Sequence, residues 1–165
     1  MPENVESIKT VLAVRNITNV SVQQMAVSEK TGMSEFHIYE SKGHNSLGRV
    51  KTSSKFVKAI QVPTITLDEF TRKNGIDRID FLKIDVEGFE LFVLRGASCV
   101  LARTDMVYFE SWESHFNKFG YSTPDVLTLL ADHGFDAGVP KDYKSSSCEN
   151  LLAVNRTSGR SLSTN

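Results

Sequence analysis

Apolar residues Val5, Ile8, Val11 and Leu12 recur at helical spacing behind Pro2 and Glu3, a proline and an acidic residue suited to a first turn. The chain therefore opens with an amphipathic helix that ends near Asn16. Alternation from Val20 to Ser28 predicts a strand, Glu29 to Gly32 a turn, and Met33 to Tyr39 further extended structure, together a hairpin. Ser, Gly, Lys and His crowd Glu40 to Lys55 without periodicity, the composition of a long surface loop over or beside a site. Val57 to Val62 reads as another strand. Thr66-Leu67-Asp68-Glu69 is a capping box, in which the Thr hydroxyl and the Glu carboxylate each take a free N–H of a short helix ending before Asn74-Gly75.

Ile79 to Val86 is nearly continuous in apolar content, the pattern of a strand covered on both faces in an α/β sheet, and Glu87-Gly88 breaks it. Phe89 to Arg95 is helical, with Gly96 in the left-handed position that ends a helix, and a second short helix spans Ser98 to Ala102. The strand Met106 to Phe109 ends in Glu110. Ser122-Thr123-Pro124-Asp125 starts the clearest helix of the chain and Gly134 stops it. Phe135 to Val139 and Glu149 to Val154 are the last strands. The Ser- and Thr-rich residues 156–165 hold too little apolar surface to offset ordering entropy and read as a disordered tail.

Composition narrows the class. The 165 residues are 40% hydrophobic and 24% charged, which suits one soluble domain. With 19 Lys and Arg against 20 Asp and Glu there is no basic field for nucleic acid or an anionic membrane, so neither is expected as a partner. No apolar run approaches the roughly 20 residues that span a bilayer, and the first residues are polar, so neither a membrane helix nor a signal peptide is expected. Two cysteines, Cys99 and Cys148, build no disulfide framework and point to a reducing, cytoplasmic compartment.

The densest chemistry lies in Asp80 to Leu91. On a strand, alternate residues share a face about 7 Å apart, so Lys83 and Asp85 point one way and Leu82, Ile84 and Val86 the other. Ligands of open α/β sheets gather at the carboxyl ends of strands, where Asp85, Glu87 and Glu110 fall. The competing structural reading pairs Lys83 with Asp85 and gives Glu87 and Glu90 to the dipole of the next helix. His44 and His115 read as solvated loop imidazoles. No metal site is assigned, because the carboxylates form no compact ligand run, and a metal-dependent hydrolase using Asp85, Glu87 and Glu110 ranks below the other readings because no motif positions a His ligand.

The run Ile79-Asp80-Phe81-Leu82-Lys83-Ile84-Asp85-Val86-Glu87-Gly88-Phe89-Glu90-Leu91-Phe92-Val93-Leu94-Arg95-Gly96-Ala97 strongly resembles the signature block of the FkbM-type methyltransferases. Ala26-Val27-Ser28, Thr66 to Phe70, Tyr108-Phe109-Glu110 and Glu149 to Val154 follow in family order, so the resemblance covers nearly the whole chain to Val154. It implies S-adenosylmethionine-dependent methyl transfer, usually to a hydroxyl oxygen of a sugar, polyketide or similar small metabolite. It further implies that Asp85 and Glu87 line the transfer cleft with Glu110 on the substrate side, and that Met25, Ala26, Val27 and Asp85 approach the cofactor; it assigns no general base. The Gly-rich turn and acidic strand end that open the family pattern have no counterpart here. The expectation is therefore an α/β fold, an incomplete Rossmann-like methyltransferase sheet with flanking helices, in which residues 1–155 form a partial domain whose activity belongs to the complete one. The alternative is a non-catalytic remnant or interaction module of the same fold. Either form has unpaired strands through which copies can self-associate.

Overall fold

The computed structural model describes residues 2–41, 45–48, 53–138 and 148–157. His44, parts of the 40–55 loop, the connection through 139–147 and the tail beyond 157 lie outside the described residues.

Helix α1 (Pro2–Val14) precedes a three-stranded sheet made of β1 (Ala26–Val27), β2 (Gly32–Tyr39) and β3 (Phe56–Ile65). Helix α2 (Leu67–Lys73) leads into a second, four-stranded sheet of β4 (Ile79–Ile84), β5 (Thr104–Trp112), β6 (Phe135–Gly138) and β7 (Cys148–Asn155). Between its strands run α3 (Glu90–Arg95), α4 (Ser98–Leu101), α5 (Glu113–Phe116) and α6 (Thr123–Asp132). The class is α/β, as the patterning predicts, and both sheets are mixed.

The predicted hairpin of Val20 to Ser28 with Met33 to Tyr39 does not form. Only Ala26 and Val27 join a ladder, parallel to β3, while β2 runs antiparallel to β3, giving the order β1-β3-β2. The alternation from Val20 onward misleads because its apolar residues do not enter a core: Val20 and Met25 stay exposed. The true hairpin is β2–β3, and in the polar loop between them the Asn45 side-chain Oδ1 accepts the Tyr39 N–H at 2.8 Å.

In the second sheet the order is β4-β5-β7-β6, with β4 parallel to β5 and β7 antiparallel to both its neighbours. One face supplies Ile84, Val107, Phe109, Leu151 and Ala153, buried against Leu91, Leu94, Val100, Leu101, Val126 and Leu130 from the helices. The other face is open, contrary to the expectation for Ile79 to Val86. Around β4 and β7 it is wetted: Phe81 is 51% exposed and Leu152 is 37% exposed. Continuous apolar content in β4 thus marks an edge strand with one wetted face.

No ladder joins the two sheets; side chains and close backbone contacts do. The Asp68 carboxylate of α2 accepts the N–H groups of Cys99 and Val100 at 3.1 and 2.8 Å, capping α4, and the Asp68 N–H donates to the Gly96 carbonyl. The capping box is only half reciprocal. Thr66 caps Glu69 as predicted, but the Glu69 carboxylate accepts from the Thr31 hydroxyl, which in turn takes the Thr66 N–H. Sequence distance hides Thr31, which β2 delivers from the other side of the sheet.

Gly96 is not left-handed: its φ is −85°. Its lack of a Cβ serves a close approach, since an added Cβ would sit 2.4 Å from the Ser28 carbonyl oxygen at the end of β1. Gly96→Ala is therefore expected to push β1 off α3 and to lower stability by about 1–3 kcal/mol, as overpacking against rigid backbone does. Urea denaturation checks this, and an unchanged midpoint would show that the junction yields freely.

Candidate functional site

The parallel β4–β5 ladder pairs Lys83 with Tyr108 and Ile84 with Phe109, so the two carboxyl ends lie side by side and Asp85 and Glu110 emerge at one edge. Pleating puts Phe81, Lys83 and Asp85 on the open face with Tyr108, Glu110 and Trp112. Lys83 and Asp85 are paired at 2.7 Å, both about half exposed, so the ion pair of the structural reading exists but is not buried. The Asp85 hydrogen bond raises the Lys83 ammonium above its ordinary range.

After Asp85 the chain turns sharply. Glu87 and Gly88 both have positive φ, 55° and 96°. A left-handed glutamate is strained, and such strain persists only where surroundings over-determine it. Glu90 and Tyr121 do so here. The Glu90 carboxylate, 1% exposed, accepts the Val86 N–H at 3.2 Å, and the Tyr121 hydroxyl donates to the Gly88 carbonyl at 2.7 Å. Phe119 closes the other side, its ring 3.0 Å from where a Gly88 Cβ would stand and against Gly48 of the polar loop. That loop therefore does reach the site's flank.

The turn aims Glu87 at His115. The imidazole Nδ1 lies 3.5 Å from a Glu87 oxygen, and its ring stacks on Trp112 with centroids 3.8 Å apart. His115 is 4% exposed in α5, which corrects its reading as a solvated loop residue. Helix α5 is anchored by Glu113, which accepts the N–H and hydroxyl of Thr123 at the start of α6. A usable signal was present: Trp112-x-x-His115 is helical i,i+3 spacing directly after a strand end. Donor atoms of Glu87, Glu110 and His115 all lie within 4.8 Å of one another.

Charge in this cluster is predominantly negative. Burial, then Glu110 and Asp85, raise the Glu87 carboxyl above its ordinary range, with Lys118 opposing them. The Cys148 thiol, from the β7 position opposite Trp112, is pushed up to about 11 by burial, a hydrogen bond to Glu110 and the neighbouring carboxylates, so it stays protonated.

The structure brings Asp85, Glu87 and Glu110 together. It places Met25 and Ala26 elsewhere, lining a groove of about 360 Å³ with Val5, Phe36 and Ile60, while Val27 packs against the main core. That groove shares no lining residue with the acidic cluster.

The chain matches a family described as the methyltransferase FkbM domain over residues 2–137. It is also similar to a protein named methyltransferase sdnD from Sordaria araneosa, 43% identical over 65 residues, which are 38% of this chain and 22% of that protein. No solved structure matches. No helix among the described residues is long and apolar enough to cross a membrane.

Burial pushes the Glu90 carboxyl up from 4.5 to about 7. Between these values the folded chain keeps a proton that the unfolded chain releases, so stability falls as pH rises through this window, in all by roughly 3 kcal/mol. Glu90→Gln should abolish this loss: urea denaturation from pH 4.5 to 8 should show wild type declining relative to the variant. Parallel pH profiles would mean that Glu90 titrates as an ordinary carboxylate.

Proposed function

Since the chain belongs to the FkbM methyltransferase domain family, we propose that it serves S-adenosylmethionine-dependent transfer of a methyl group to a hydroxyl oxygen of a sugar or other small hydroxylated metabolite. The observation that carries this reading is the meeting of Asp85, Glu87 and Glu110 at the carboxyl ends of two adjacent parallel strands, the edge where open α/β sheets hold ligands.

The residues present fit the cationic end of S-adenosylmethionine, since an excess of carboxylates on a half-open face favours a positive charge. They do not include a glycine-rich cradle for its nucleoside. When bound, the cofactor supplies an electrophilic methyl group on a positively charged sulfur. Asp85 is the carboxylate assigned to that charge, with Lys83 setting its direction through the 2.7 Å contact. Glu87 and Glu110 lie on the acceptor side. His115, stacked on Trp112 and 3.5 Å from Glu87, completes that side of the cluster. Met25 and Ala26, which the family resemblance sets near the cofactor, line a groove apart from this cluster, so the adenine is not assigned to them.

A second reading, a non-catalytic module that docks through its open strands, is favoured by the half-exposed Phe81 on the bare face of β4. One set of measurements decides between them. Transfer of a radiolabelled methyl group should be detected on hydroxylated acceptors, and Asp85→Asn should reduce it by roughly 10²-fold or more while the thermal midpoint stays near wild type. Full turnover in folded Asp85→Asn protein would remove Asp85 from the site. Absence of both labelling and cofactor binding, with concentration-dependent sedimentation, would leave the docking module.

A further inference from the structure

The Glu87, Glu110 and His115 cluster assembles two carboxylates and one imidazole from two stretches of chain, the turn after β4 and the β5–α5 junction, with donor atoms within 4.8 Å of one another. Each donor is fixed by its own element. Glu87 is held in its strained turn by Glu90 and Tyr121, Glu110 lies in the β5 ladder opposite Asn150, and His115 is stacked on Trp112. The 3.5 Å from His115 Nδ1 to the Glu87 carboxylate is close to the roughly 3.4 Å between two ligands each about 2.1 Å from one tetrahedral ion. Two carboxylates held this close repel each other, and a divalent cation between them removes that cost.

We propose that Glu87, Glu110 and His115 bind one divalent transition-metal ion of the Zn²⁺ or Mn²⁺ type. Mixed nitrogen and oxygen donors select these ions over Ca²⁺ and Mg²⁺, whose sites are built of oxygen. Three protein ligands leave coordination positions free, the arrangement of a working rather than a structural centre. An acceptor hydroxyl taking one of those positions would be acidified. That last assignment rests on the methyl-transfer reading; the ion site itself does not.

The test uses the full chain, stripped with a chelator and titrated with ZnCl₂ and with MnCl₂ in the absence of S-adenosylmethionine. One ion per chain is expected. Glu110→Gln and His115→Gln should each weaken binding at least about tenfold, while Asp132→Asn, on the exposed side of α6, leaves it unchanged. Nitrogen-15 spectra of the wild-type chain give a readout that does not depend on any variant folding: Zn²⁺ should shift the His115 ring resonances at one equivalent. Failure of wild type to retain either ion at micromolar concentration, an unmoved His115 resonance, or equal binding by folded His115→Gln protein would overturn the site. Binding that disappears in Cys148→Ser while surviving in His115→Gln would overturn it too, by moving the centre to Cys148. Because cofactor is absent throughout, loss of methyl transfer alone would count against the function and not against the ion site.

Discussion

The site depends on a buried carboxyl group. Glu90 sits one turn beyond the end of β4 with almost no solvent contact, and its side chain folds back to hold the Val86 N–H. Burying a carboxyl this way is costly, and the protein meets the cost partly by letting it keep its proton to about pH 7. What the arrangement secures is the left-handed turn at Glu87 and Gly88, with Tyr121 holding the Gly88 carbonyl from the side of α6. Without that turn β4 would feed directly into α3, and Glu87 would not face Glu110 and His115.

The same logic explains how two sheets that share no ladder among the described residues are held together. The three-stranded sheet is tied on through Asp68, which caps α4, and through Ser28, which lies against the bare backbone of Gly96. Both contacts bear on the helices that follow Glu90. The packing that buries Leu94, Val100 and Leu101 therefore also fixes the register of the turn carrying the site. On the opposite side of the four-stranded sheet the polar and charged residues Lys83, Asp85 and Glu110 share a face with Phe81 and Tyr108, so acidic chemistry borders exposed apolar surface. That border suits a ligand with a charged end and an apolar body.

Much of this was legible in the chain. The α6 helix formed where Ser122, Thr123, Pro124 and Asp125 announce it, because capping is a local interaction among neighbours. The β4 and β5 strands that carry Asp85 and Glu110 lie adjacent and parallel, since an apolar strand followed by a helix and another apolar strand has few other ways to pack. Reading failed where the partner was distant. Thr31 takes the place of a reciprocal cap at Thr66, the Val20 to Met25 alternation finds no neighbouring strand, and Gly96 answers to Ser28 rather than to a left-handed turn.

His115 marks the boundary most clearly. Local sequence determined that a turn at Glu87 and Gly88 follows β4, because that is a matter of backbone preference within a few residues. Whether an imidazole is wetted or buried is a different kind of fact. It depends on which surfaces arrive from elsewhere in the chain: Glu87 from 28 positions upstream, Glu113 tied to Thr123, and a ring of Trp112 laid flat against it. While the strand bounds shifted, with β4 stopping at Ile84 and β5 running on through Glu110 to Trp112, the sequence by itself determined the class of fold and the identity of the carboxylates. Only tertiary packing decided that a histidine joins them, since the desolvation and stacking that hold it there are summed over residues no local pattern connects.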